Sequence, residues 1–207
     1  MNRAKIKRKA RDILRGNIWN FLKPSILFGL VFGAIMGIFG SSMADLDGET
    51  ITISMIPSLL ELLAMPISFG ILAYQVKLVR KEDYDLNMIF SYYRKFWPIF
   101  CLNFFISLFI GLWSLLFIVP GIIAAYRYSM AMLIMIDGEE DPIECIKKSK
   151  QMMYGYKWDY FVFQLSFILW HLLGIITFGL AYIYVIPYIS ASSILYYDDL
   201  KKVNLVK

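Results

Sequence analysis

Apolar residues along this chain come in long blocks rather than short amphipathic stripes, and basic residues collect at one edge of each block. Ahead of the first block, Ile6, Ala10, Ile13, Leu14, Ile18 and Phe21 recur at helical spacing, while Lys5, Arg8, Lys9, Arg11 and Arg15 fall largely elsewhere around the wheel. This predicts an amphipathic helix over residues 1–23, lying in the cytoplasmic interface with its apolar side in lipid and its cations toward anionic lipid headgroups. Trp19 suits the interfacial level. Span one is expected from about Pro24 to Ser42 and span two from about Met55 to Val76, joined by a loop with Asp45, Asp47 and Glu49 but no Lys or Arg. Lys77, Arg80 and Lys81 mark the return. Leu86, Ile89, Phe90 and Tyr93 then predict a second, short amphipathic helix, with Asp85 as its cap.

The stretch from Trp97 to Ile136 holds no acidic residue. As one helix it would reach ~60 Å, about twice the hydrocarbon thickness, so it must fold back. Pro120-Gly121 is the expected reversal point between spans three and four. Asp141-Pro142-Ile143-Glu144 reads as a helix start and Gly155 as its stop. Ile143, Ile146 and Met153 of that helix are expected against the membrane, and Lys147, Lys148 and Lys150 toward water or lipid phosphate. Tyr160 to Tyr197 is again too long for one crossing and should turn near Thr177-Phe178-Gly179, giving spans five and six.

The expected fold is therefore all-α, a polytopic membrane protein of six transmembrane helices arranged as three hairpins, each preceded by an interfacial amphipathic helix. Residues 1–207 form a single membrane domain, with the helix at 1–23, the six-span bundle at 24–197 and a polar tail at 198–207. On this map every Lys and Arg except Arg127 lies on one side, which puts both termini in the cytoplasm. The later two hairpins match weakly: Trp97 and Asp137 are separated by the same distance in sequence as Trp158 and Asp198.

Composition agrees with lipid as the solvent. The 207 residues are 59% hydrophobic, 17% aromatic and only 18% charged, more apolar surface than one soluble core of this size hides. The net charge of +5 does not point to nucleic acid, because the cations flank apolar runs instead of forming a face in polar surroundings. The two cysteines, Cys101 and Cys145, imply no disulfide framework. A basic start, Ile26 to Phe39 and Ser42-Met43-Ala44 imitate a cleaved leader. The preceding basic segment is long and has its own helical pattern, so the stretch is read as a retained span.

Several clusters are similar to an uncharacterised bacterial membrane-protein family, the domain of unknown function nine-seven-five. Leu112-Trp113, Leu115-Leu116-Phe117-Ile118, Pro120-Gly121-Ile122, Tyr126 and Tyr128-Ser129-Met130 resemble its central signature. Ser149, Met152-Met153, Gly155, Lys157-Trp158-Asp159 and Phe161 resemble its cytoplasmic signature, and Leu165-Ser166-Phe167-Ile168, Trp170 and Leu172-Leu173 resemble the span after it. Pro187-Tyr188, and near the start Ala10, Leu14, Gly16-Asn17 and Trp19, also fit. The resemblance implies a multi-pass protein of the bacterial inner membrane and brings no activity with it.

No phosphate-cradling loop, metal-ligand pair or nucleophile elbow is present, and the single histidine, His171, excludes a multi-histidine metal site. No catalytic residue, metal or cofactor is expected. Three ionisable residues fall inside spans, Glu61, Arg127 and His171, and these are the candidate intramembrane polar site. One reading is a polar pathway or ligand site with Glu61 near Arg127. The favoured reading is structural, with Arg127 snorkelling or paired to Glu61 and His171 making one helix-to-helix hydrogen bond. In the family resembled, the positions of Arg127 and His171 more often carry serine and tyrosine, so a family-wide mechanism does not rest on them. Asn103 and Gln164 are expected to bond across helices. Trp19, Trp97 and Trp158 read as interfacial anchors, and the 11 methionines as adaptable packing more than copper capture.

The expected role is a non-enzymatic structural, accessory or interaction component of the membrane, in transport, envelope stress, peptide defence or assembly. The alternatives are a transporter or channel component using Glu61 and Arg127, and a membrane enzyme on lipid-linked substrates, for which Glu139, Glu140 and Asp141 are the nearest acidic cluster. Expected partners are the bilayer, its anionic headgroups at the N-terminal helix, and a second copy or another membrane protein, with no nucleic acid. Gly29, Gly33 and Gly37 lie on one face of span one and come nearest to an association motif.

Overall fold

The computed structural model describes residues 2–42 and 50–205, and every regular element among them is helical. Asp45, Asp47 and Glu49, the expected outer loop, lie outside the described residues. The chain runs through α1 (Arg3–Leu14), α2 (Ile18–Ser42), α3 (Thr50–Arg80), α4 (Met88–Ser91) with a 3-10 turn at Tyr92–Lys95, and α5 (Phe96–Leu116). It continues through α6 (Ile118–Tyr128), α7 (Ala131–Ile136), α8 (Pro142–Met152), α9 (Lys157–Leu165), α10 (Ile168–Ile176) and α11 (Tyr182–Leu205).

Among the described residues five stretches are long and apolar enough to cross a bilayer: Ile18–Gly37, Ser58–Arg80, Met88–Leu116, Ile118–Ile136 and Lys157–Ile176. Large apolar side chains such as Leu27, Leu30, Leu108, Leu112, Ile118 and Leu169 stay exposed along them, as a lipid-facing surface requires and a water-facing one would not tolerate. The sixth expected span differs. Its helix, α11, mixes Tyr and Ser into the apolar sequence and carries Asp198, Asp199, Lys201 and Lys202 toward its end. It is also well enclosed, with Val185, Tyr188, Ala191, Ile194, Leu195, Tyr196, Tyr197 and Leu200 all buried. A helix wrapped by other helices need not be apolar all round.

The helices break where local chemistry allows. Reversal between α5 and α6 falls on Phe117, the one extended residue between them, rather than on Pro120-Gly121. Pro120 sits in the first turn of α6, where no intrahelical partner for its missing N–H is needed. Gly121 serves close packing instead: a Cβ there would lie 2.9 Å from the Ser114 backbone on α5. The turn at Thr177-Phe178-Gly179 forms as expected, with Gly179 at φ +92° and the Ala181 N–H donating to Thr177 Oγ1 at 3.0 Å. Asp141 caps α8 by accepting from the Ile143 N–H at 2.9 Å, and Pro142 takes the first helical position. Asp85 does not cap α4, whose capping position is Asn87.

The apolar sides of α1 and α8 lie largely against protein, which corrects the expectation for these two helices, whereas Leu86, Phe90 and Tyr93 of the expected short helix between them stay exposed. Ile6, Ala10, Ile13 and Leu14 of α1 are buried, and the helix packs mainly on α11. Arg3 pairs with Asp159 at 3.3 Å, and Tyr196 of α11 donates to the same carboxylate at 3.0 Å. Lys7 donates to Ser166 Oγ and stands 4.4 Å from the Phe167 ring centroid. Compared with lipid, protein offers those aliphatic side chains little extra hydrophobic gain. Packing and these polar ties therefore decide where α1 lies. On α8, Ile146 and Met153 are buried against the ends of α5 to α7, and only Ile143 of the expected trio remains exposed.

Because Ala10 is fully enclosed, Ala10→Phe should overpack the seat of α1 at a cost of about 1–3 kcal/mol, raising trypsin cleavage within α1 roughly tenfold or more. Lys5→Gln, on the exposed side, should leave the rest of that cleavage pattern unchanged. Limited proteolysis in detergent checks both.

Candidate functional site

The three intramembrane candidates are not brought together. Glu61 lies on α3, where its side chain is exposed. Arg127 sits in the last turn of α6, half-buried, with Nε enclosed and unpartnered. It lines a small apolar cavity of about 190 Å³ with Trp113, Pro120, Ile123 and Ala124. His171 is exposed on α10, where its backbone oxygen accepts from the Tyr182 hydroxyl at 3.4 Å. Among the described residues no ion pair joins Glu61 to Arg127.

The expected cross-helix amides turn inward on their own helices. Asn103 donates to the Ile99 carbonyl at 2.9 Å, and Gln164 donates to the Tyr160 hydroxyl at 2.8 Å. The amide that does cross is Gln75, buried in α3, which accepts from Ser190 Oγ at 3.0 Å and donates to Ser25 Oγ at 3.4 Å. It ties α2, α3 and α11 together. The signal was present in the sequence as the only amide within span two.

What the fold does assemble is a charged cluster at one end of the bundle. Arg80, the last residue of α3, places Nη1 at 2.6 Å from Asp137 at the end of α7 and Nη2 at 2.6 Å from Asp198 of α11. Lys201 and the Tyr197 hydroxyl also donate to Asp137, at 2.5 and 2.8 Å. The side chains of Arg80, Asp137 and Asp198 are only 21%, 10% and 20% exposed. Burial alone would raise the Asp137 carboxyl, but hydrogen bonds from Arg80, Lys201 and Tyr197, with the Arg80 charge, outweigh it and hold the group below the usual carboxylate range. Asp137 and Asp198 are the two positions that match between the later hairpins. Their equivalence was legible, whereas their shared hold on Arg80 was not.

Around this cluster the acidic run is already committed. Glu139 pairs with Lys148, which holds its carboxyl below the usual range, Glu140 pairs with Lys95 at 2.7 Å, and Asp141 caps α8. Cys145 is buried and its thiol is pushed up to about 11 by burial and then by Glu139, the reverse of an activated thiolate. Among the described residues no group of three or more His, Cys, Asp and Glu is arranged to hold a metal ion. Two clefts flank the cluster. One, of about 620 Å³, is lined by Asp137, Glu139, Lys148, Tyr197 and Lys201. The other, of about 590 Å³, lies between α1 and the ends of α3 and α11.

Removing one carboxylate from the cluster leaves the guanidinium with half its partners. Asp137→Asn should lower stability in detergent by about 2 kcal/mol. A carboxyl held low when folded contributes stability that is complete above about pH 4 and lost as pH falls through the folded value. Thermal unfolding of the unaltered chain should therefore weaken on acidification below about pH 4, and that drop should be smaller in Asp137→Asn.

The chain matches no curated protein and no solved structure. A family model does match, and it spans α6 to α11 together with the last residues before α6. That segment contains Pro120-Gly121, Ser149, Lys157-Trp158-Asp159 and Pro187-Tyr188, along with both aspartates that hold Arg80, while Ala10, Leu14, Gly16-Asn17 and Trp19 lie ahead of it. The matching family model is described as Protein of unknown function (DUF975), and residues 116–204 of the chain are similar to it.

Proposed function

We propose that this protein is a non-enzymatic structural or accessory component of a bacterial inner membrane, with its charged end and both termini in the cytoplasm. In this reading α1, α8 and the Arg80 cluster form a platform at the membrane surface. Exposed Lys5, Arg8, Arg11 and Arg15 on the outer side of α1 hold anionic headgroups.

One observation carries the reading: the more enclosed carboxylates Asp137, Asp198 and Glu139 gather with cations at one end and pair there, while the apolar stretches hold only scattered, unconnected charges. A relay or pore would need such groups in succession through the bilayer. The sidedness follows the asymmetry of Lys and Arg, of which only Arg127 lies away from the basic segments. An enzyme acting on lipid-linked substrates finds less support, because Glu139, Glu140 and Asp141 are taken up by ion pairs and a cap. The transport reading is favoured by one feature alone, the unpartnered Nε of Arg127 beside its small cavity.

Reconstituted vesicles separate these readings. The purified chain should add no proton or potassium permeability to the bilayer, and Glu61→Gln combined with Arg127→Gln should accumulate and fold normally. A measurable flux that this double variant abolishes without loss of folding would replace the structural role with transport. Reporters fused to the two ends should both be found in the cytoplasm, and reporters on opposite sides would overturn the platform.

A further inference from the structure

The two clefts beside the Arg80 cluster differ in one respect. In the cleft toward α8, Lys148 and Lys201 are each matched to a carboxylate, Glu139 and Asp137. The cleft toward α1 has Lys9, Lys81 and Lys202 on its walls, and none of these ammonium groups makes an ion pair or hydrogen bond among the described residues. Of the two carboxylates there, Asp198 is committed to Arg80, leaving only Asp12 against three lysines. Like charges facing one cavity repel unless an anion sits among them.

Lys81 sharpens the point. It comes directly after the last residue of α3 with φ +60°, the left-handed position that ends many helices, where glycine is the unstrained choice. The Glu82 N–H donates back to the Lys77 carbonyl at 2.9 Å and closes the turn. A lysine there costs stability and delivers a cation to the cleft wall. Beneath the lysines, Ile13, Leu78, Val79 and Leu195 form a buried apolar floor. At about 590 Å³ the space exceeds what a bare inorganic phosphate fills and suits a phosphate with an organic stem.

From this geometry we infer that the cleft between α1, the end of α3 and the tail of α11 binds a phosphate ester, held by Lys9, Lys81 and Lys202. The source most in reach is an anionic phospholipid headgroup, which rests on the reading of this end as lying at the membrane surface. A soluble phosphate ester shares the chemistry. Lysine is a suitable donor, presenting a compact charge with rotatable N–H groups to several phosphate oxygens.

The test uses the full chain in an uncharged detergent, with lipid retention followed by native mass spectrometry and soluble ligands followed by thermal shift. Phosphatidylglycerol should be retained in preference to phosphatidylcholine, and Lys9→Gln with Lys81→Gly and Lys202→Gln should weaken that retention about tenfold or more. Lys81→Gly alone should melt at the same or a higher temperature while still weakening retention, a combination that a purely structural lysine would not give. Lys5→Gln with Arg8→Gln and Arg15→Gln removes the same charge from outside the cleft and should spare tight retention. If the outer triple fails to reduce adsorption to phosphatidylglycerol vesicles, the platform reading falls while the cleft stands. Stabilisation by glycerol 3-phosphate that competes with the lipid would make the ligand a soluble ester, supporting the same site. Equal loss of lipid in the two triples, or equal retention of the two lipids with no response to glycerol 3-phosphate, would overturn the proposal.

Discussion

Arg80 held between Asp137 and Asp198 is the interaction on which the charged end of the molecule depends. Helices dissolved in hydrocarbon gain little by hiding apolar side chains from one another, since lipid tails serve as well as leucine. Register and choice of neighbour therefore fall to close packing and to the few polar groups that have only one place to go. One guanidinium reaching the ends of two other helices is such a constraint, because neither carboxylate can be left buried and unpaired without a large penalty. Gln75 repeats the logic within the bundle, reaching Ser25 on α2 and Ser190 on α11.

The short amphipathic helices gain a second meaning beside this tie. The helix run through α6 and α7 is interrupted at Ser129 and Met130, and the run through α9 and α10 at Ser166 and Phe167. Interruptions leave backbone groups without intrahelical partners, which is costly away from water. Ser149 of α8 answers the first, donating to the Arg127 carbonyl at 2.9 Å and accepting from the Met130 N–H at 3.2 Å. Lys7 of α1 answers the second by donating to Ser166 Oγ, whose hydroxyl in turn donates to the Phe163 carbonyl. α8 and α1 thus each place a polar side chain at a break in another helix.

Much of the fold was legible because its signals are local. The Asp141-Pro142 start, the Thr177 to Gly179 turn and the apolar faces of α1 and α8 all involve residues a few positions apart. The reversal between α5 and α6 was misplaced by three residues because proline is compatible with a helix's first turn as well as with its end. The candidate site was less legible. Glu61, Arg127 and His171 stand out as charges in apolar sequence, yet they do not meet. Arg80, Asp137 and Asp198 look like ordinary flanking charges, and they do meet.

By itself the sequence marked the runs apolar enough for a bilayer and the cations that flank them, because run length, hydropathy and charge placement are properties of consecutive residues. It also determined that α1 and α8 have an apolar face. Only the tertiary structure decided that protein, not lipid, covers those faces, since periodicity says that a face is apolar and nothing about what lies against it. It alone decided which charges become partners, because a contact between Arg80 and Asp198 depends on the three-dimensional path of everything between them.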